Sequence, residues 1–565
     1  MIDAVMKPKS IEQQLESLNI HPDEIADEHV SGAINLLFKL IEELHIENEK
    51  LKAEIQKLRD ENNLLKGEQS KPNIPANKKK QKEDISSEDE RKKLQPPKQK
   101  KSKAKKHKIK INRTEVCKVD QTDLPDDVEF KGYQTVVVQG IIIRTDNVEY
   151  QKEIYYSPSQ NKTYIGELPK GVDGEFSPEI KSLVYTMKYV SNMSESKIRE
   201  FLESFGIHIS SATISRILTK NNELFDQEKA DIVMAGILST IYQQIDDTSG
   251  RVNGQNQFVQ ILCNPYYTAY FTIPHKDRLS ILALLQGGKI RNYCFNEEAF
   301  ILLGKFRLTK NMIAQIREMI FDLILDEEEM QQFLKRFFPD PSKGKNLRKR
   351  IMEAGAIAAY HQQTDYPVIH IFVSDDARQF KLITKEHALC WVHDGRNYKR
   401  LHPIVPLYKE KLEKFLDRYW NYYAKLLDFK ENPSSQKAEL LSAEFDKLFS
   451  TRTKYQALDD RIAKTKANKT YLLLVLKYPQ LPLHNNDAEL GARAQVRKRD
   501  VSLHTMTEDG TKANDIFMTI VQTAKKLGVS AYDYIYDRVS KNYCMPSLSV
   551  LIEAKKIAEI NNNAG

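Results

Sequence analysis

Cysteine is scarce in this chain of 565 residues, and the cysteines that are present are scattered. None belongs to a Cys-x-x-Cys pair; they stand at Cys117, Cys263, Cys294, Cys390 and Cys544. Disulfide frameworks and cysteine-rich zinc sites both need cysteines at close or paired spacing, so the sequence argues against both. The pattern is typical of a reducing compartment, and we expect a cytoplasmic protein.

Long apolar runs are also missing. No run approaches the roughly 20 residues that span a bilayer, and Tyr471–Leu476 is among the longest. The first ten residues, MIDAVMKPKS, lack the apolar centre of a secretory signal. We therefore expect no membrane association. The chain is long enough to form several domains, each with its own core.

The excess of positive charge is confined to one segment. The net charge is +8, yet residues 71–113 hold 17 Lys or Arg against 5 Asp or Glu, and the remainder holds 69 against 73. This Lys-, Pro- and Ser-rich composition predicts a disordered linker over residues 68–113. It is either a solvated spacer or a tether that contacts nucleic-acid phosphates without reading sequence. The candidate contacts of such a tether are Lys78, Lys79, Lys80, Lys105 and Lys106.

A seven-residue repeat occupies residues 31–67, after a polar segment over residues 1–30. Position a holds Ile34, Ile41, Asn48, Ile55 and Asn62, and position d holds Leu37, Leu44, Leu51, Leu58 and Leu65. This choice favours a parallel two-stranded coiled coil whose buried Asn residues fix the register. The alternative is an amphipathic helix packed on the chain's own core. As a coiled coil, it predicts a homodimer or higher homo-oligomer joined through Leu37, Leu44, Asn48, Leu51, Leu58 and Asn62.

Two smaller regions follow the linker. Alternating apolar residues from Tyr133 onward predict a small β domain over residues 114–170. Residues 171–225 then contain two amphipathic helices separated by a turn at Phe205-Gly206, which is the spacing of a helix-turn-helix. A plain helical hairpin has the same spacing. In a helix-turn-helix the second helix would face DNA with Ser211, Thr213, Ser215, Arg216 and Lys220.

The central region alternates strands and helices. Three strand-like runs, Ile241–Ile245, Phe258–Cys263 and Tyr267–Ile273, precede a helical insertion at about 277–355. Two further strands are predicted at Val368–Asp375 and Ala388–Val392. This order is that of a ribonuclease-H-like sheet, in which the first and fourth strands end side by side. The acids that follow those two strands would then converge.

Those acids are Asp246 and Asp375, and a later helix beginning near Asn486 can add Glu489. Three carboxylates brought together repel one another unless cations neutralise them. Hard oxygen ligands of this kind suit Mg²⁺ or Mn²⁺. Two such ions can activate the attacking oxygen and stabilise the leaving oxygen of a phosphoryl transfer.

Several motifs, in this order, resemble those of transposases of the insertion-sequence-sixty-six group, which belong to the DDE class. They are DDTSGRVNG, SDDARQF, CWVHDGRNY and NNDAELGAR, and the similarity runs from roughly Pro169 to Tyr534. Carried over residue by residue, the resemblance implies a catalytic and metal-binding triad of Asp246, Asp375 and Glu489 with two Mg²⁺ or Mn²⁺ ions per active site. The residues implied in support are Cys390, His393, Asn486 and Arg493.

The chain departs from the family's pattern in several places. Asp247 and Asp376 stand next to two of the triad positions and leave the register of each motif open by one residue. His484 and Leu490 stand where the family more often has Asp and Arg. The zinc-binding cysteines that typically precede the helix-turn-helix are absent, so no zinc is expected.

The resemblance implies a DNA transposase that cuts strands by hydrolysis and then joins the freed 3′-hydroxyl to target DNA. Its partners would be double-stranded DNA of the element ends and of the target, and any accessory proteins are left open. The alternative is a catalytically inactive DNA-binding regulator derived from a transposase. The expected architecture is a multidomain α+β/α/β chain: coiled coil, helix-turn-helix, ribonuclease-H-like core over residues 226–535 and a helical tail over residues 536–565.

Overall fold

The structure is a computed structural model that describes residues 11–18, 20–65, 111–119, 129–141 and 144–564. Most of the predicted basic linker lies outside these residues, including the candidate phosphate contacts Lys78, Lys79, Lys80, Lys105 and Lys106. No helix within the described ranges is long and apolar enough to cross a membrane.

The described chain is mainly helical and carries short strands. Its α-helices are α1 (Ile11–Leu18), α2 (Glu28–Leu65), α3 (Pro178–Tyr189), α4 (Glu195–Glu203), α5 (Ser211–Thr219), α6 (Glu223–Ser239), α7 (Arg278–Leu285), α8 (Glu297–Lys305), α9 (Lys310–Ile320), α10 (Glu327–Phe337), α11 (Lys345–Gln362), α12 (Trp391–Lys399), α13 (Pro406–Glu431), α14 (Ser435–Leu448), α15 (Gln456–Ala467), α16 (Lys469–Leu472), α17 (Asn486–Ser502), α18 (Glu508–Leu527), α19 (Ala531–Val539) and α20 (Leu548–Ala564). Its strands are β1 (Ile154–Ser157), β2 (Lys162–Ile165), β3 (Tyr242–Val252), β4 (Gln255–Cys263), β5 (Thr268–Ile273), β6 (Tyr293–Cys294), β7 (Ile324–Leu325), β8 (Ile371–Ser374) and β9 (Glu386–Leu389).

One five-stranded sheet, in the order β5-β4-β3-β8-β9, lies at the centre of the fold. β3, β4 and β5 form an antiparallel meander, and β8 and β9 run parallel to β3. Parallel neighbours need a crossover connection, and helices α7–α11 supply it between β5 and β8. Helices α17 and α18 pack on β3, β4 and β5, and the core between them contains the fully buried Ile245, Ile261 and Tyr270.

β3 is longer than the sequence predicted. The expected strand ends at Ile245, whereas β3 runs on through the acidic pair to Val252. The turn residues Asn253 and Gly254 both have positive φ, 47° and 76°, as in the tight turns that join two strands of a hairpin. The turn lets β3 and β4 stay paired along the polar residues that follow Ile245. Backbone hydrogen bonds hold this part of the ladder, and they do not require apolar side chains.

The fifth strand of this sheet ends earlier than predicted. β9 stops at Leu389, and the residues predicted to extend the strand to Val392 begin helix α12 instead. The Cys390 sulfur accepts the backbone N–H of His393 at 3.3 Å, which caps the new helix. A short apolar run such as Cys-Trp-Val reads the same in a buried strand and in a buried helix, so periodicity cannot separate them.

The predicted small β domain is present, in the described residues, only as the hairpin of β1 and β2. Residues 111–119, 129–141 and 144–150 contain no helix or strand. Val136, Val138 and Ile141 are 79%, 85% and 85% exposed. Alternation of apolar residues predicts a strand, but a strand is stable only when its apolar face is covered.

A separate helical module, α12–α16, lies between β9 and α17. Its core is aromatic: Trp391 lies 5.6 Å, ring centroid to ring centroid, from both Tyr419 and Tyr422. The carboxylate of Asp394 is also buried there and pairs with Arg461. The sequence pattern indicated helices in this region, but not that they form a core distinct from that of the central sheet.

The predicted heptad segment is one continuous helix, α2. Its first half packs on the helical module: Phe38 is buried with its ring edge-on to Tyr408, 6.3 Å between centroids. The Glu42 carboxylate accepts the backbone N–H groups of Ile404 at 2.7 Å and Val405 at 2.8 Å, at the start of α13. The d-position side chains face away from these contacts and are about half exposed: Leu37 56%, Leu44 58%, Leu51 49% and Leu58 57%.

Helices α4 and α5 form the predicted pair around a turn. Ser194 and Ser210 accept backbone N–H groups in the first turns of the two helices, as N-cap residues do. The turn passes through Gly206, whose φ of 76° suits glycine. Ile214 and Leu218 are buried, so α5 packs on its neighbours with one face and leaves the other outward.

Candidate active site

The strand pairing brings Asp246 and Asp375 together. Gln244 of β3 is paired with Val373 of β8, and two residues further along each parallel strand are Asp246 and Asp375. Burial raises the pKa of Asp246 to about 7, opposed by the Asp247 N–H and reinforced by the charges of Asp375, Asp247 and Glu489. The Asp375 carboxylate accepts the backbone N–H of Ala377 at 3.1 Å.

Helix α17 is tied to β3 directly beside this pair. Its N-cap residue Asn485 is buried and donates from its amide to the carbonyl oxygen of Ile245 at 2.8 Å. The Gln244 amide oxygen accepts the backbone N–H of Asp487 at 3.2 Å, and its Nε2 donates to the Asp487 carboxylate at 3.3 Å. These contacts fix the first turn of α17, which carries Glu489, against the residues immediately before Asp246.

Gly491 lets α17 approach the sheet closely. A Cβ at this position would lie 2.8 Å from Ile261 Cγ2 and 3.2 Å from Thr268 Cγ2. The Tyr270 hydroxyl donates to the Gly491 carbonyl oxygen at 3.0 Å. The helix therefore rests on β4 and β5 by its backbone, two residues after Glu489.

Glu489 is held by an arginine that the sequence prediction did not single out. Arg396 of α12 donates to both carboxylate oxygens of Glu489, at 3.0 Å and 2.8 Å. Two parallel charge-assisted hydrogen bonds of this kind fix orientation as well as distance. Arg396 stands in the CWVHDGRNY motif, where the prediction selected His393. An arginine on the same helix as Cys390 and His393 was the signal that could have indicated it.

The acids next to the triad positions have other partners. Asp247 accepts hydrogen bonds from Lys276 Nζ at 2.6 Å and Gln379 Nε2 at 2.9 Å. Asp376 pairs with Lys381. In the described part of the chain, neither Asp246 nor Asp375 forms an ion pair. Asp247 and Asp376 thus differ from Asp246 and Asp375 in having a cation beside them.

Cys390 links two helices of the site. Its sulfur accepts the backbone N–H groups of His393 and Asn485, both at 3.3 Å, at the first turns of α12 and α17. Burial, with the nearby charge of Glu489, raises the pKa of the thiol to about 12. Cys390 therefore acts as a structural acceptor in this position, since a thiol with such a pKa supplies no thiolate at neutral pH.

The other predicted site residues differ in how far they are exposed. The side chains of His393 and Asn486 are half-buried, and that of Arg493 is exposed. Of the predicted DNA-facing residues, Ser211, Arg216 and Lys220 are exposed and Thr213 and Ser215 are half-buried. Lys220 pairs with Asp509 of α18, which ties the end of α5 to a helix that packs on the central sheet.

The donor chemistry of the triad suits a hard divalent ion, since its oxygens are all carboxylate. Within the described residues, no three His, Cys, Asp or Glu side chains are close enough to hold an ion together. Glu489 has both of its oxygens on Arg396. Asp246 and Asp375 would hold the ion. Glu489 would become the third ligand if one or both of its hydrogen bonds to Arg396 were broken.

Comparison with known proteins gives the class and then the family. Residues 324–513 match the family described as "Transposase IS66 family". The chain is also 32% identical over 329 residues to the uncharacterized protein y4jO of Sinorhizobium fredii (strain NBRC 101917 / NGR234), an alignment that covers 57% of this chain and 99% of that protein. The site therefore belongs to a transposase-type, DNA-processing protein.

The chain is a member of the IS66 family of transposases, and the family predicted from the sequence motifs is confirmed. The matched range contains Asp375, Glu489, Cys390 and Arg396, and it begins after β5. Asp246 thus comes to the site from outside that range, through the pairing of β3 with β8. Membership of the family implies DNA binding.

We expect the substitution Asp246→Asn to stabilise the metal-free protein at neutral pH. The pKa of Asp246 is raised from its ordinary value of 3.8 to about 7 in the folded state. The stability that protonated Asp246 contributes to the folded state is therefore fully present below about pH 4. It is lost as the pH rises through about 7 and the buried carboxylate ionises. One pKa unit corresponds to about 1.4 kcal/mol, and allowing for partial exposure we expect a gain of about 1–2 kcal/mol at pH 8.

The measurement is urea unfolding at pH 4.5 and pH 8 in the presence of a chelator, with the gain expected mainly at pH 8. Asp247→Asn is the matched control: because that carboxylate accepts a hydrogen bond from Lys276, its loss should lower stability at pH 8. An Asp246→Asn difference of the same size at both pH values would show that the carboxylate is not strained by its surroundings.

Proposed function

We propose that this protein is a DNA transposase that catalyses divalent-metal-dependent strand cleavage and strand transfer. The observation that carries the proposal is the pairing of β3 with β8, which sets Asp246 beside Asp375, with Glu489 near enough for its charge to help burial raise the pKa of Asp246. The strand order β5-β4-β3-β8-β9, with β8 and β9 parallel to β3, supports a ribonuclease-H-like catalytic core. The family match supports DNA as the substrate.

In this proposal Asp246 and Asp375 would be the principal ligands of two Mg²⁺ or Mn²⁺ ions, and Glu489 would be the third ligand. When bound, such ions would neutralise the carboxylates and activate first water and then a 3′-hydroxyl for attack on a phosphodiester. Arg396 positions Glu489, and Asn485 keeps the start of α17 on β3. Asp247 and Asp376 stay paired with lysines and take no part in ligation.

Cleavage of a labelled duplex carrying the element end tests this assignment. In Mg²⁺, Asp246→Asn, Asp375→Asn and Glu489→Gln should each lower the cleavage rate by about 10³-fold, equal to about 4 kcal/mol of barrier, and should leave duplex affinity largely intact. An amide keeps the shape of the side chain but lacks the charge that a divalent ion needs.

Asp247→Asn and Asp376→Asn are the matched controls, because each changes one carboxylate one residue away. Their cleavage rates should stay within about tenfold of wild type, which corresponds to a change of at most about 1.4 kcal/mol in the barrier. If Asp247→Asn abolishes cleavage and Asp246→Asn does not, the assignment is wrong by one residue. A wild-type chain that binds the duplex and never cuts it would indicate the inactive regulator instead.

We also propose that α2 joins two copies of the chain. Leu37, Leu44, Leu51 and Leu58 form a stripe of half-exposed leucines along one side of a 38-residue helix. Asn48 and Asn62 share the seam, and in a parallel two-stranded coil each can bond to its counterpart in the partner. Pairing two copies in this way would hold two element ends together for coordinated transfer.

Light scattering on the full chain tests this pairing. Wild type should be a dimer, because any arrangement that places Asn opposite Ile leaves a buried amide unpaired at a cost of about 1–3 kcal/mol. The double variant Asn48→Ile with Asn62→Ile removes that cost. It should therefore be more stable but mixed in stoichiometry. Lys50→Ile with Lys57→Ile, placed off the seam, is the control and should remain a dimer. A wild-type chain that stays monomeric at high concentration would exclude the pairing.

A further inference from the structure

The helical module has a pocket on its surface that is lined by basic side chains. A surface pocket of about 310 Å³ lies between α13 and the loop that joins α14 to α15. We call it the basic pocket, and its lining residues are Lys411, Lys414, Phe415, Arg418, Thr451, Arg452, Thr453 and Lys454. The residues that line it include five cations and no carboxylate. The volume is that of about ten water molecules, enough for a hydrated phosphodiester.

Helix periodicity accounts for one wall of the basic pocket. Lys411, Lys414 and Arg418 are three and four residues apart along α13, so their side chains share one face of the helix. Lys414 and Arg418 are exposed, whereas Phe415 is buried and forms the floor. Lys414 also pairs with Glu410 at 2.5 Å, so the local charge is partly balanced outside the lining.

The opposite wall is a loop held in one conformation. Asp459 accepts both the backbone N–H and the hydroxyl of Thr453, each at 2.8 Å. Arg418 Nη2 donates to the Thr451 hydroxyl at 3.3 Å, which joins the loop to α13. Lys454 has a φ of 62°, in the left-handed region that non-glycine residues rarely adopt. The hydrogen bonds to Asp459 and Arg418 therefore hold the backbone segment that carries Arg452 and Lys454.

We propose that the basic pocket binds a phosphate of the DNA backbone, as a contact site outside the triad. The inference rests on the proposed function only in taking DNA as the ligand. Lysine and arginine are the side chains that most often contact phosphate oxygens and fix the position of a protein on a duplex without reading its sequence. The loop backbone and the Arg418 guanidinium are already held by hydrogen bonds, so these groups need little further ordering when an anion binds.

The position of the basic pocket relates it to the triad. The ring of Phe415, at its floor, lies 5.1 Å from the ring of Tyr398, centroid to centroid. Tyr398 belongs to α12, the helix whose Arg396 holds Glu489. A DNA strand bound in the basic pocket would therefore contact the same rigid module that orients the third acid of the triad.

The test is the salt dependence of duplex binding by the full chain, followed by fluorescence anisotropy of a labelled duplex. The triple variant Lys414→Gln, Arg418→Gln, Arg452→Gln should reduce the slope of log affinity against log salt by about 1, because the loss of one phosphate contact removes roughly 0.9. The control triple Lys425→Gln, Lys437→Gln, Lys447→Gln removes the same charge from the same module outside the pocket, and it should leave the slope unchanged.

Two further measurements distinguish a DNA-phosphate site from a folding defect and from a free-phosphate site. The charge-keeping triple Lys414→Arg, Arg418→Lys, Arg452→Lys should bind like wild type, whereas a pocket that unfolds on substitution would lose binding in both triples. Acetylation of Lys414 in the presence of duplex or of inorganic phosphate separates the two sources of phosphate. Protection by the duplex is expected; equal protection by inorganic phosphate at the same phosphate concentration would identify a free-phosphate site and overturn the proposal.

The outcomes also separate this inference from the proposed activity. If the pocket triple and the control triple lower the salt slope equally, overall charge explains the change, and the basic pocket is not a DNA-phosphate site. If the glutamine triple variant of the basic pocket binds and cuts DNA like wild type, the proposed phosphate site is wrong and the proposed activity stands. Protection of Lys414 by the duplex in a chain that never cuts DNA would support the site while overturning the transposase activity. A wild-type chain with no affinity for the duplex would overturn both.

Discussion

The parallel ladder between β3 and β8 is only three residue pairs long, and the candidate site depends on it. It joins residues 242–244 to residues 371–373, which are more than a hundred positions apart in the chain, and so sets Asp246 beside Asp375. The five helices between β5 and β8 are the crossover that a parallel pairing requires. Burial in this place, and after it the neighbouring charge of Asp375, raise the pKa of Asp246.

Glu489 reaches the same place through a different set of constraints. α17 is fixed to β3 by the Asn485 amide and rests on β4 and β5 because Gly491 has no side chain. The carboxylate itself is held by Arg396, which comes from the helical module. The module thus contributes to the site without contributing an acid, and its aromatic core makes it a rigid support for that arginine.

Much of this arrangement could be predicted from the sequence where the pattern is regular. The heptad helix, the helix pair around Gly206, the order of the five strands and the placement of Asp375 after an apolar strand all follow from periodicity and turn residues. The motifs added the family, and the family match agrees. The acid predicted to follow the first strand lies within β3 instead, because the strand continues past it to Val252.

The remaining features depend on interactions between distant residues, which periodicity does not contain. The length of β3 depends on a hairpin turn and on pairing with β4, both through polar residues. The start of α12 depends on a sulfur that accepts an N–H group. Arg396 is separated by 93 positions from the glutamate it binds. The exposed segment near Val138 reads as a strand but has no surface to cover it within the described residues.

The central claim is that the acids at 246, 375 and 489 form one site for a divalent cation, and that Asp247 does not belong to it. Binding of Mn²⁺ to the full chain, followed by loss of the free-ion signal in electron paramagnetic resonance, tests this most directly. Asp246→Asn should weaken Mn²⁺ binding by at least about tenfold, or about 1.4 kcal/mol, and Asp247→Asn should leave it close to wild type. Equal Mn²⁺ affinity in wild type and Asp246→Asn would contradict the claim.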